Sequence, residues 1–117
     1  AGTEAFGRAL EHLIFLELRA YLDYRRLRQP ITFWRSQSQL EVDFVIGDEL
    51  AIEVKGTGRV APRDARGLIA LSDEVKLKHR LIVCNESTPR TLDNGIEIVP
   101  IDLFFKRLWA DTLINGS

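Results

Sequence analysis

Glu41-Val42-Asp43-Phe44-Val45-Ile46, then Gly47-Asp48-Glu49, then Leu50-Ala51-Ile52-Glu53-Val54-Lys55 is the stretch that decides the fold. Two short runs alternate in character on either side of a turn, as an antiparallel hairpin with one buried face should. One phase carries Val42, Phe44, Ile46, Ile52 and Val54; the other carries Glu41, Asp43, Val45, Ala51, Glu53 and Lys55. Loop length sets hairpin register. With Gly47-Asp48-Glu49 as a three-residue loop, Ile46 faces Leu50, Asp43 falls opposite Glu53 and Glu41 opposite Lys55; a two-residue turn would set Asp43 diagonal to Glu53. Two carboxylates about 4 Å apart repel by something on the order of 4 kcal/mol at an effective dielectric near 20. A proton on one of them, or a divalent ion between them, removes that conflict.

Outward from the hairpin, residues from Thr3 to about Leu27 have helical periodicity, with Phe6, Leu10, Leu13, Ile14, Leu18, Tyr21 and Leu22 on the apolar face and Thr3 or Gly2 near the N-cap. Pro30 stops this helix, and Ile31 to Arg35 reads as a first strand joined to the hairpin by the polar turn Ser36-Gln37-Ser38-Gln39. Pro62 suits the first turn of a second helix that runs to about Lys76, with Ala65, Leu68, Ile69 and Leu71 inward. Leu81 to Cys84 is an unalternating, buried strand; Asn85 to Gly95 is a turn-rich connection; Ile96 to Val99 is a short strand. Pro100 to about Leu113 closes the chain as a helix with Leu103, Phe104, Leu108 and Trp109 inward, and Asn115-Gly116-Ser117 is expected to fray. The order is αβββαββα. A helix between the third and fourth strands implies a crossover joining parallel strands, so the fold class is α/β, a mixed central sheet flanked by helices.

The chain's 117 residues suit one domain, 1–117, that buries about two-thirds of its unfolded surface. A 45% hydrophobic and 28% charged composition with no long apolar run points to a soluble protein. One cysteine, Cys84 within an apolar strand, fits a reducing cytoplasm and a small buried hydrophobe better than a reactive thiol. The chain has no methionine, so it reads as a piece of something longer. Sixteen Lys and Arg against seventeen Asp and Glu give a net charge of −1, without the global basicity of a strong nucleic-acid binder. Basic residues do cluster in Arg25-Arg26-Leu27-Arg28 and Lys76-Leu77-Lys78-His79-Arg80, where helix-end complementarity and solvation explain them as well as phosphate contact does.

The acidic first helix with Gly7 and Glu11, the Glu41-Val42-Asp43-Phe44 block, Ile52-Glu53-Val54-Lys55 and the element order together resemble the PD-(D/E)XK (restriction-endonuclease-like) nuclease superfamily. More narrowly, they resemble the nuclease-like C-terminal domain of bacterial and archaeal AAA-type ATPases. The resemblance implies Asp43 and Glu53 as ligands of a divalent ion, Mg2+ or Mn2+, with the Val54 carbonyl as a further ligand. It implies Lys55 as the group that orients or activates the attacking water, and Glu11 as the acidic residue of the first helix. It also implies phosphodiester hydrolysis on DNA, with RNA sharing the same active site, and an ATPase module as partner. No G-x-x-x-x-G-K-[ST] occurs in the chain, so that ATPase would lie outside it. RecB-like branches carry a glutamine on the helix after the E-x-K strand; here Arg63, Asp64 and Arg66 stand instead, and the arginines are candidates for phosphate contact.

Glu17 and Glu4 rival Glu11 on the first helix. His12 and His79 are too isolated for a metal cluster, Gly56-Thr57-Gly58-Arg59 reads as a flexible turn, and Trp34 and Trp109 as core anchors. The competing expectation is a catalytically silent module of the same fold that serves partner binding or homo-oligomerisation, supported if Phe105 or Leu113 leaves an apolar surface on the last helix.

Overall fold

The computed structural model describes residues 2–114, with side chains from Glu4 onward. Helix α1 (Gly2–Tyr24) buries Leu10, Ile14, Leu18, Tyr21 and Leu22, which share one face at helical spacing. Phe6 and Leu13, expected on that face, are 41% and 46% exposed, because the buried stripe is narrower than the apolar one. Gly2 and Thr3 both lie within the helix. Its end comes well before Pro30. The Leu27 N–H reaches the Leu22 carbonyl and the Arg26 N–H the Asp23 carbonyl, with Arg26 left-handed at φ 58°. This paired closure satisfies the last carbonyls of the helix.

Strands β1 (Thr32–Arg35), β2 (Glu41–Ile46) and β3 (Leu50–Val54) follow. A 3-10 turn (Pro62–Ala65) leads into α2 (Arg66–Ser72), then β4 (His79–Cys84), β5 (Arg90–Thr91), β6 (Glu97–Pro100) and α3 (Ile101–Trp109). The six strands form one sheet in the order β1-β2-β3-β4-β6-β5. β3, β4 and β6 run parallel, and the remaining pairs are antiparallel. The fold is therefore α/β with a mixed sheet flanked by three helices. The order differs from αβββαββα by β5, two residues inside the expected turn-rich connection that pair with β6. Such a short edge strand has no periodicity to betray it.

One core cluster joins α1 and α3 to the sheet through Phe44, Ile46, Ile52, Val54, Leu81 and Val83. The other joins α2 through Val42, Ala51, Ile82, Cys84 and Ile98. β3 is thus buried on both faces, not on one as its alternation implied. Ala65, Leu68 and Leu71 face inward as expected, but Ile69 is 43% exposed because α2 is only seven residues long and presents a single buried stripe. α3 ends at Trp109, closed by the Thr112 N–H on the Arg107 carbonyl with Asp111 left-handed at φ 64°. Leu113 is buried and Phe105 packs partly against the core, so neither leaves the apolar surface that a partner-binding last helix would show. Residues 115–117, expected to fray, lie outside the described residues. No helix among them is long and apolar enough to cross a membrane.

Candidate active site

The hairpin turn settles the register. Gly47-Asp48-Glu49 form a three-residue turn, with Gly47 left-handed at φ 54°, and Ile46 pairs Leu50, Val45 pairs Ala51 and Phe44 pairs Ile52. The ladder stops there, one step before Asp43 and Glu53 would face each other. The cause is a bulge: between the pairs Trp34–Val42 and Thr32–Val45, β1 advances two residues and β2 three. An extra residue on one strand turns the chain and re-aims its side chains. Val42 accordingly packs into the α2-side core, whereas Phe44 and Ile46 pack on the α1 side. Glu41 does not meet Lys55. It pairs with Arg35 of β1, with its carboxylate 2.5 Å from the guanidinium.

Where the backbone ladder lapses, a side chain replaces it. Asp43 Oδ2 accepts the Val54 N–H at 2.8 Å. The carboxylate therefore lies in the gap between the strands, within reach of groups from both faces. Glu53, which alternates with Ile52 and Val54, points to the α2 side, where it lines a cleft with Lys55, Arg63, Arg66 and Gly67. Glu53 is only 8% exposed, and its Oε1 has no hydrogen-bond donor among the described residues. Burial pushes its pKa up to about 9, aided by a hydrogen bond to Asp43 and by that residue's charge, against the opposing pull of Lys55. Two carboxyl groups can share a hydrogen bond only if one carries the proton, and burial assigns it to Glu53. A proton on Glu53 removes the clash expected between two carboxylates.

Glu11 reaches the same point from the α1 side. As a residue it is exposed, yet partial burial of its carboxyl group, then the charge and a hydrogen bond of Asp43, and then Glu41, raise its pKa. Close packing of α1 on the chain just past β3 brings it there: a Cβ on Gly7 would lie 3.5 Å from the Gly56 nitrogen. The structure thus brings Glu11, Asp43, Glu53 and Lys55 together, with Asp43 as the common neighbour of both glutamates. Its rival Glu17 is committed elsewhere, accepting the Trp109 indole N–H at 2.6 Å in the α1–α3 contact. Lys55 holds its ammonium 3.8 Å from Glu53 Oε2 and stays half-exposed at the mouth of the cleft.

That cleft measures about 320 Å³. Arg63 and Arg66, from the 3-10 turn and the start of α2, line it without an ion pair or side-chain hydrogen bond among the described residues. Two features were missed in the sequence. Gly67 allows α2 to rest on β2, since a Cβ there would sit 2.1 Å from the Glu41 carbonyl oxygen; a lone glycine inside a helical pattern was the available signal. The Gly56–Arg59 segment is tied down, with the Thr57 carbonyl accepting the Asn85 N–H and the Thr57 hydroxyl accepting the Arg59 N–H.

Neither basic cluster takes part. Arg25 is held by Asp111 and the Trp109 carbonyl. Lys78 pairs with Glu49, and Arg80 bonds Ser72. Because β3 and β4 are parallel with Leu50 beside His79, the second cluster lies at the far end of the sheet from Lys55. No three His, Cys, Asp or Glu side chains among the described residues form a ready-made metal cage.

Neither the curated proteins nor the solved structures contain a match to this chain. A family model does match over residues 6–104, which span most of α1, the hairpin, the cleft and the start of α3. The chain belongs to the family described as Domain of unknown function (DUF4143).

Proposed function

We propose that this chain is a divalent-metal-dependent nuclease domain with a restriction-endonuclease-like fold, related to the PD-(D/E)XK superfamily. Its substrate on this reading is DNA, and it serves an ATPase module in the cytoplasm. The observation that carries the proposal is the parted hairpin, in which Asp43 leaves the ladder to hold the Val54 N–H while Glu53 is buried beside it with an oxygen that has no donor among the described residues. A hard cation suits that donor set, because Mg2+ keeps several waters and needs only one or two carboxylates. Asp43 and Glu53 would hold it with the Val54 carbonyl, and Glu11 from the opposite side. When bound, such an ion acts as a Lewis acid on a phosphodiester and lowers the pKa of its water.

The chain's own residues supply the rest. On this reading the Lys55 ammonium, 3.8 Å from Glu53 Oε2, would orient an attacking water and stabilise negative charge developing on phosphorus-bound oxygen. Arg63 and Arg66 are the cations that would anchor the reacting phosphate. Cleavage assays with labelled DNA and RNA in Mg2+ or Mn2+ test the proposal. We expect metal-dependent products that fall at least 100-fold in Asp43→Asn, Glu53→Gln and Lys55→Ala. Activity unchanged in all three variants sinks it.

A second reading is a silent module of the same fold that docks a partner. It draws on the outer face of α1, where Phe6, Leu13 and Leu16 are 41%, 46% and 49% exposed at helical spacing. Sedimentation of the parent beside Leu13→Glu/Leu16→Glu decides it: a self-associating parent and a monomeric variant support docking, and a monomeric parent that cleaves DNA removes it.

A further inference from the structure

A cavity of about 800 Å³ lies beside the candidate active site and outside it. Its walls come from the loop after β3, the loop after β4 and the chain entering the 3-10 turn, so it sits at the carboxyl ends of adjacent parallel strands. Open parallel sheets commonly bind ligands at that end. The two hollows flank one short turn: Ala61 and Pro62 line the cavity, while Arg63 and Asp64, the next residues, line the cleft. Gly58 in the cavity wall is three residues beyond Lys55.

The cavity's lining combines cations and hydroxyls with an apolar wall. Arg59 lines it with an exposed side chain that makes no ion pair among the described residues, and its charge helps to hold the Glu86 carboxyl below the usual range. Arg90 is held in place by Glu86 at 2.9 Å and by the Val60 carbonyl at 3.1 Å. Ser87 and Thr88 offer hydroxyls that make no side-chain hydrogen bond among the described residues, and Pro62 and Val60 give an apolar wall. Two arginines against one glutamate leave a single positive charge, which matches one phosphodiester. The volume falls in the range of small-ligand pockets. A nucleotide enters such a hollow only once it is unpaired and unstacked, because a duplex keeps its bases inside the helix.

We infer that a single nucleic-acid strand crosses the 3-10 turn, with its reacting phosphate between Lys55, Arg63 and Arg66 and the adjoining unpaired nucleotide in the cavity beside Arg59, Ser87 and Thr88. The inference rests on the nuclease reading and narrows its substrate to single-stranded or unpaired ends. With no aromatic side chain in its lining, the cavity would hold the nucleotide through its arginines and hydroxyls, with little sequence preference.

The test is fluorescence anisotropy of the 117-residue chain with a labelled oligothymidylate and with a blunt duplex, in EDTA so that binding is read without cleavage. Thr88→Trp fills the hollow from an exposed loop position, and Arg59→Ala removes one of its two cations. We expect the parent to prefer the single strand at least tenfold. Thr88→Trp should weaken the single strand tenfold or more and leave the duplex within twofold. Arg59→Ala should weaken the single strand and lower its salt dependence by about one phosphate contact. A melting temperature matching the parent shows that each variant is folded. Equal affinity of the parent for both substrates, an unchanged single-strand affinity in folded Thr88→Trp, or an acidic peptide binding where oligonucleotides do not overturns the inference. The nuclease reading fails separately: a parent that binds single strands through the cavity but cleaves nothing in Mg2+ or Mn2+ keeps the cavity and loses the catalysis.

Discussion

Asp43 Oδ2 accepts the Val54 backbone N–H at 2.8 Å, so a side chain from β2 makes the hydrogen bond that the β2 backbone relinquishes at the bulge. One carboxylate thereby has two duties. It satisfies a donor of the most buried strand, and it sits beside Glu11 and Glu53.

The two duties separate by mutation. Asp43→Ala leaves the Val54 N–H without an acceptor and should destabilise the fold by about 1–3 kcal/mol. Asp43→Asn keeps an acceptor oxygen and removes the charge that opposes ionisation of Glu53, so it should be at least as stable as the parent without metal while losing metal binding. Urea unfolding of both variants, with calorimetric Mg2+ titration, reads the difference. Equal destabilisation of the two would show that the hydrogen bond is not what holds the strands.

Stability should fall as the pH rises. Glu53 has its pKa raised by burial to about 9, so the folded chain binds a proton that the unfolded chain releases near 4.5. Its contribution is full below about pH 4.5 and is lost progressively towards pH 9, with a slope of at most about 1.4 kcal/mol per pH unit. Glu53→Gln, which donates to Asp43 at every pH, should flatten that slope. Unfolding followed between pH 5 and 9 in EDTA checks both, and a parent that gains stability over that range would contradict the assignment.

Gly67→Ala should cost about 1–3 kcal/mol by overpacking. The added methyl meets the Glu41 carbonyl oxygen at 2.1 Å, and backbone cannot move aside as a flexible side chain could. Since α2 and β2 both border the cleft, the variant should also weaken oligonucleotide binding. A melting temperature equal to the parent's would show that α2 shifts without cost.

Glu11 and Glu17 should behave oppositely. Glu17→Ala breaks the partly buried Trp109 contact and should lower stability by about 1–2 kcal/mol without touching metal affinity. Glu11→Gln removes a group that shares Asp43, so it should weaken metal binding and leave stability within about 0.5 kcal/mol. Paired denaturation and calorimetry distinguish the two, and an exchange of these effects would reverse the assignment on α1.

Arg26 occupies the left-handed position that closes α1, at φ 58°. Arg26→Gly relieves a cost of about 1–2 kcal/mol, part of which returns as entropy of the unfolded chain. A net gain of up to about 1 kcal/mol is expected in thermal unfolding.

The sequence by itself determined the elements that carry strong periodicity and the charges that break it. The hydrophobic stripe of α1, the buried run of β4 and the alternation of the hairpin were legible because each is written in local spacing. So was the grouping of Asp43, Glu53 and Lys55, once a three-residue turn fixed the register. Tertiary structure alone decided what those charges do. The β1–β2 bulge parts the hairpin at Asp43, and it arises from how two strands pair, which no single strand encodes. Likewise the choice of Glu11 over Glu17 depends on which face of α1 meets the sheet and which meets Trp109. The cavity beside Arg59 joins loops about thirty residues apart in the chain, at Gly58 and Thr88. Periodicity reports burial along one element, whereas bulges, helix facing and loop-built cavities arise between elements, where packing decides.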